Sequence, residues 1–280
     1  MTRQERSYSP GGRIVAGKGL QILLHLLMKH DQRGRQYLPR EGGVILAPNH
    51  LSYADWGAVA LYSYESGRFP TFLIKSSAFD VKVVGPFLRV LGQLPVYRSR
   101  GDAAVVLKAA EAALRDNQCV VVYPEGTASR DPDLWPMVAK TGAARLALKT
   151  GVPVIPIAHW GAQDVLPYGS SKPHLFPRRK VRLVAGPPVD LSPWEGKPLT
   201  ATNLREATAA IMADVTALLA GLRGGTPPAV PYDMAKAAKP AVSPAEPPTV
   251  SPAEPSAVSP AKPPTESGTE AGAETETRPT

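Results

Sequence analysis

Short apolar runs and amphipathic stretches alternate along roughly the first four-fifths of the chain. Val44-Ile45-Leu46-Ala47-Pro48, bounded by Gly42-Gly43 and Pro48, has no polar interruption and reads as a buried strand. Trp56 to Tyr62 reads as a helix. Pro70 to Lys75 predicts a short strand ending in a lysine, Pro86 to Leu91 a short helix, and Leu94 to Tyr97 a strand leading to Arg98. Gly101 to Arg115 reads as a helix capped by Asp102, with Val105, Val106, Ala109 and Ala113 toward the core. Cys119 to Tyr123 is a further strand. Val138 to Thr150 predicts a helix stopped by Gly151, with Pro153 beyond. Val152 to Ala158 carries two prolines, which argues for an edge strand or a bulge. Val181 to Ala185 is the last strand and Asn203 to Leu222 the last helix. The alternation predicts an α/β fold with a largely parallel central sheet flanked by helices.

The ends are different. After a polar, basic start, Ile14 to Lys29 reads as an amphipathic helix, with Leu20, Leu23, Leu24 and Leu27 at i, i+3, i+4 and i+7. Lys18, Gln21, His25 and Lys29 line its other side. Its uninterrupted apolar runs fall short of the ~20 residues of a transmembrane span, and no small-residue cleavage site follows. The periodicity fits either packing on the sheet or lying in a membrane interface. From Thr226 onward the composition changes: 13 of the 31 prolines lie there, and Val-Ser-Pro-Ala begins three eight-residue copies at Val242, Val250 and Val258. Such a segment cannot bury a core, so residues 226–280 are expected to be a disordered Pro-rich tail.

Two strand exits carry candidate chemistry. Asn49-His50-Leu51-Ser52-Tyr53-Ala54-Asp55 follows the first apolar run, where open α/β sheets place their sites. A helix starting near Ser52 leaves His50 in the lead-in loop and lets Asp55, in the first turn, face back toward it. An imidazole held by a carboxylate on one nitrogen is left basic on the other. Ser52-x-x-Asp55 equally fits a capping box, in which the carboxylate only satisfies helix-start amides. The second exit is Tyr123-Pro124-Glu125-Gly126-Thr127-Ala128-Ser129-Arg130, which by itself is an ordinary strand-to-loop turn.

Taken together these segments resemble the glycerolipid acyltransferases, the lysophosphatidic acid acyltransferases in particular. His50 and Asp55 match the family's His-x4-Asp, and Gly92 to Arg98 its Gly-x-x-Pro-Val-x-Arg. Tyr123 to Ser129 match Phe-Pro-Glu-Gly-Thr-Arg-Ser, with Ala128 where the family usually has arginine and Arg130 two positions on. Val152 to Ile157 match Val-Pro-Val-Ile-Pro-Val. The resemblance spans about residues 35–190. It implies that His50 is a general base oriented by Asp55 for transfer of an acyl group. The donor would be a coenzyme A or acyl carrier protein thioester, and the acceptor the 2-hydroxyl of 1-acylglycerol 3-phosphate. It implies substrate contacts at Arg98, Glu125, Gly126 and Thr127, with Lys75 a second cation at a strand end. Guanidinium matches phosphate with paired donors, so Arg98 is the expected clamp. It further implies no resident cofactor and a division into an interfacial helix (1–30), the acyltransferase domain (31–225) and the tail (226–280). Transferases using glycerol 3-phosphate, another lysophospholipid or a glycolipid share the His-x4-Asp. A hydrolase would need a nucleophile, and no Gly-x-Ser-x-Gly elbow is present. A membrane-binding scaffold would not need His50.

Charge agrees with an anionic partner. Residues 1–225 hold 28 Lys and Arg against 17 Asp and Glu, while 226–280 hold 4 against 7. Lys172 to Lys180, with Leu175 and Phe176 beside its cations, suits an anionic membrane surface. Nucleic acid is disfavoured, because no recognition motif or stacking aromatics accompany the charge. Cys119 is the only cysteine, which fits a reducing cytosolic setting, and the resemblance implies a peripheral place on the cytoplasmic face of the membrane. No cluster has metal-ligand spacing, so no metal is expected.

Overall fold

A computed structural model describes residues 10–96, 102–170 and 172–237. In chain order the helices are α1 (Pro10–Leu27), α2 (Asp55–Glu65), α3 (Val84–Val90), α4 (Asp102–Arg115), α5 (Gly142–Thr150), α6 (Ala162–Val165), α7 (Ala201–Arg223) and α8 (Met234–Ala237). The strands are β1 (Met28–Arg33), β2 (Val44–Pro48), β3 (Pro70–Lys75), β4 (Leu94–Val96), β5 (Cys119–Val121), β6 (Val154–Trp160) and β7 (Arg179–Ala185). They form one sheet in the order β1-β7-β6-β2-β5-β3-β4. Five neighbouring strands from β6 to β4 are parallel, and β7 pairs antiparallel with β6 while β1 runs parallel to β7. The sheet is therefore largely parallel, as the alternation of elements predicts.

Period-two alternation divides the core into two layers. Val44, Leu46, Cys119, Val121, Ile155 and Ile157 face α1 and α2. Ile45, Ala47, Val120, Val122 and Val154 face α4, α5 and α7. Burial on both faces explains why β2 and β5 read as uninterrupted apolar runs. On α4, Val106, Ala110, Ala113 and Leu114 are buried while Val105 is exposed, which turns the inward face from the expected one. The α5 helix begins at Gly142 rather than Val138, and the residues before it are held elsewhere, with Val138 and Lys140 donating to the carbonyls of Tyr232 and Pro124.

Two differences are larger. Residues 28–33 form an edge strand, so α1 ends at Leu27 and the expected boundary at residue 30 falls inside β1. Charged side chains suit an edge, where one rim of the strand meets water, and they hide the strand from an apolar-run reading. The proline-bearing β6 lies between β7 and β2, not at an edge. Pro156 is tolerated there because its side of the ladder meets Gly186, just past the end of β7, whose N–H donates to its carbonyl at 3.0 Å. The chain stays attached beyond residue 225, where Tyr232 accepts from Val138 at 2.9 Å; residues 238–280 lie outside the described residues.

Arg68 ties the opposite rim of the sheet together. It is 7% exposed, and its guanidinium donates to the carbonyls of Pro39 (2.6 Å), Gly42 (2.6 Å) and Asn117 (2.8 Å). Arg68→Met would leave three carbonyls without this donor, each a loss of ~1 kcal/mol or more. Urea unfolding is expected to show a stability loss of ~3 kcal/mol. A change below ~1 kcal/mol would show that solvent replaces the guanidinium.

Candidate active site

The strand register brings separate parts of the sequence to one level. Leu46, Val121 and Ile155 are aligned across β2, β5 and β6, with Phe72 of β3 beside Val121. Four residues beyond the first three come His50, Glu125 and His159, and three beyond Phe72 comes Lys75. All lie at the carboxyl ends of parallel strands.

Asp55 is the first residue of α2 and fully buried. Its Oδ2 accepts from the N–H groups of Leu51 (2.6 Å) and Ser52 (2.9 Å) and lies 2.8 Å from His50 Nδ1. The capping interaction and the histidine-orienting interaction are thus made by one oxygen. Amides at a helix start stabilise the carboxylate as an anion, so Nδ1 carries the hydrogen that it donates and Nε2 is left as the basic nitrogen. Among the described residues no group bonds Nε2. The Tyr123 ring lies against His50 with centroids 4.5 Å apart, and its hydroxyl is buried without a hydrogen-bond partner among the described residues. Burial, followed by the Asp55 charge, holds that phenol well above its usual range.

His50 stands on a cleft of about 840 Å³. Its walls are apolar: Leu20 and Leu24 from α1, Trp56, Leu61 and Tyr64 from α2, Phe72 and Ile74 from β3, and Phe87 and Leu88 from α3. Lys75 is also on the cleft and exposed. This arrangement seats an aliphatic chain beside a base. Among the described residues no group of three His, Cys, Asp or Glu side chains is placed to hold a metal ion.

Glu125 has a different place from the expected substrate contact. It is 3% exposed; Oε1 accepts from the His50 N–H and Oε2 from the Met137 N–H, both at 2.9 Å. Burial pushes its carboxyl up to about 8, against the opposing pull of those two amide bonds. Gly126, at φ 72°, donates its N–H to the Tyr123 carbonyl at 3.0 Å, so this amide closes the turn. Thr127 is half-buried beside it and does not line the cleft. Ala128 is fully buried, and Arg130 lies off the cleft with its guanidinium 3.9 Å over the Tyr168 ring, donating to the Tyr168 hydroxyl. Arg98 lies outside the described residues. The sequence reading missed Tyr123, Asn49 and His159. A histidine two places beyond Ile157 in an otherwise apolar strand was the available signal.

Residues 29–160 match the family model described as Acyltransferase. This segment is similar to acyltransferase domains. A chloroplastic 1-acyl-sn-glycerol-3-phosphate acyltransferase, BAT2 of Brassica napus, is 31% identical over 160 residues, which cover 56% of this chain and 44% of the relative. The 1-acyl-sn-glycerol-3-phosphate acyltransferase of Borreliella burgdorferi is 30% identical over 133 residues, 47% of this chain and 51% of the relative. The chain spans about half the length of these curated relatives. The crystal structure of the 1-acyl-sn-glycerophosphate (LPA) acyltransferase PlsC from Thermotoga maritima shares the fold, with a TM-score of 0.58 over 77% of this chain and 83% of that one, at 22% identity.

The folded domain has a built-in pH dependence at Glu125. Its folded value, about 8, is above the ordinary 4.5, so the folded state binds this proton more tightly than the unfolded state does. Its contribution is fully present below about 4.5 and declines as pH rises to about 8. Unfolding measured from pH 4.5 to 8 should show wild type losing stability relative to Glu125→Gln as pH rises. Parallel stability curves would place the Glu125 carboxyl in the ordinary range.

Proposed function

We propose that this chain transfers a fatty acyl group from a thioester to the 2-hydroxyl of 1-acylglycerol 3-phosphate, giving phosphatidic acid for phospholipid synthesis. The carrying observation is the His50–Asp55 pair, 2.8 Å apart, on a large apolar cleft. In this reading the acceptor hydroxyl gives its proton to His50 Nε2 as its oxygen attacks the thioester carbonyl. The tetrahedral oxyanion then collapses, the C–S bond breaks, and the leaving thiolate takes the proton from His50. Asp55 holds the imidazole in the required tautomer and stabilises the transient imidazolium. The aliphatic chain of a substrate occupies the cleft, where burial of each CH₂ contributes ~0.8 kcal/mol. The donor is an acyl-coenzyme A or acyl carrier protein thioester. Lys75 and Arg98 are the proposed phosphate contacts. The names of the relatives support this acceptor. Ala128 and the outward engagement of Arg130 with Tyr168 keep an acceptor without this phosphate, such as a glycolipid, as the rival reading.

The test is a panel of phosphorylated and phosphate-free acceptors with labelled acyl thioester. Transfer is expected with 1-acylglycerol 3-phosphate and is expected to fall by ~10²–10⁴ in His50→Ala, the scale of lost general-base catalysis. Preference for a phosphate-free acceptor would favour the rival, and undiminished transfer by a folded His50→Ala protein would overturn the assignment of the base.

We also propose that the protein works at an anionic membrane surface. Helix α1 has two apolar sides: Leu24 is buried against the domain with Leu20 and Leu27, while Ile14, Val15, Ile22, Leu23 and Leu26 are exposed. Val83, Val84 and Phe87, at and just before α3 across the cleft, are exposed too. Among the described residues no helix is long and apolar enough to cross a membrane. In vesicle flotation with anionic lipid, binding is expected to weaken with salt and with Ile22→Ser and Leu26→Ser, while the fold survives. Unchanged binding would remove the outer side of α1 from the contact.

A further inference from the structure

Beside the His50–Asp55 pair is a second histidine that the transfer reaction does not use. His159 is the penultimate residue of β6, and Ile155 and Ile157 on the same side of the strand pack in the layer that holds α2. Period-two alternation therefore sends His159 toward the start of α2, where Asp55 sits. It is fully buried there. Gly161, at φ 106°, turns the chain immediately afterwards, where a Cβ would stand 2.2 Å from the Lys180 carbonyl oxygen; the backbone behind His159 is held close against β7.

Three hydrogen bonds join His159 to Asn49, the residue before the proposed base. The His159 N–H donates to Asn49 Oδ1 (2.9 Å), Asn49 Nδ2 donates to the His159 carbonyl (3.2 Å), and His159 Nε2 lies 2.8 Å from the Asn49 carbonyl oxygen. A carbonyl only accepts, so Nε2 carries a hydrogen. That same nitrogen is 3.6 Å from Asp55 Oδ2, the oxygen that holds His50. The positive end of the Nε2–H dipole thus lies beside the shared oxygen, while Nδ1 is buried without a partner among the described residues.

We infer that His159 is a positioning residue for His50: it fixes the peptide that precedes the base and draws charge on Asp55 Oδ2 away from His50 Nδ1. This rests on the reading of His50 as the base. The groups facing the pair from the packed elements are Asp55 at the start of α2, Tyr123 and Glu125 after β5, and His159 on β6. Removing the Nε2–H would leave more of the carboxylate's negative charge to His50. The His50 imidazolium would then be favoured, and the acid limb of the pH–rate profile would move to higher pH.

The experiment compares wild type, His159→Gln and His159→Leu, with His50→Ala as the control. Steady-state kinetics are measured across pH, and the His50 ring is titrated by ¹⁵N NMR, which needs no substrate and is tractable with five histidines in the chain. His159→Leu is expected to lower kcat by ~10–100-fold with KM for acceptor and donor within ~3-fold, and to raise the acid limb and the His50 titration together. His159→Gln keeps a donor for the Asn49 carbonyl and is expected to retain kcat within ~5-fold, with its limb closer to wild type. If His159→Leu does not fold, the glutamine variant decides: loss as deep as in His50→Ala overturns the inference. So do wild-type kcat and an unmoved His50 titration in the leucine variant. Transfer surviving in His50→Ala would instead show that the reading of the base had failed.

Discussion

A buried carboxylate needs donors, and the site is built around that requirement at one oxygen of Asp55, Oδ2, while Oδ1 is buried with no hydrogen-bond partner among the described residues. An ionised group without contact with water is costly unless several donors converge on it. Here the chain between β2 and α2 supplies them, curling so that the N–H groups of Leu51 and Ser52 reach Oδ2 together with His50 Nδ1. Ser52 adds a brace, accepting from the Ala54 N–H and donating to the Leu166 carbonyl. The helix start thereby stabilises the anion, and the anion fixes the imidazole. Stability and proposed chemistry depend on the same oxygen, so capping and catalysis are not competing descriptions of Asp55.

The loop after β5 is organised in a similar way, with structural bonds occupying groups that were expected to meet substrate. Glu125 bridges the His50 and Met137 amides, and Ser129 donates its N–H to the His50 carbonyl and its hydroxyl to the Trp135 carbonyl. Trp135 is covered by Arg223, whose guanidinium lies 4.5 Å from it and 4.1 Å from Trp160. This loop buttresses the His50 backbone from behind. Among the described residues the exposed cation on the cleft is Lys75, at the end of β3.

Helix α1 carries apolar residues on both an inner and an outer side. Leucines at Leu20, Leu24 and Leu27 close the cleft wall and the core, and the apolar residues between them remain outside. Packing on the domain is thus seen for the inner leucines, while Lys18, Gln21 and His25 keep part of the surface polar.

Pattern alone determined the order and class of most elements, because runs buried on both faces and helices with one apolar stripe reflect local burial directly. β2 and β3 appear with the expected limits, and Gly151 ends α5 in the left-handed conformation at φ 70°. His50 and Asp55 were legible because their contact is local, across one turn of chain. β1 was not, since an edge strand of charged residues is recognisable only by its pairing with β7. Glu125 looked like a substrate contact until folding placed its oxygens against two amides, and His159 looked like part of a strand. Tertiary structure decided both placements: parallel pairing brings residues 75 and 109 positions from His50 to its own level, and hydrogen bonds at that level depend on register rather than on neighbours in sequence.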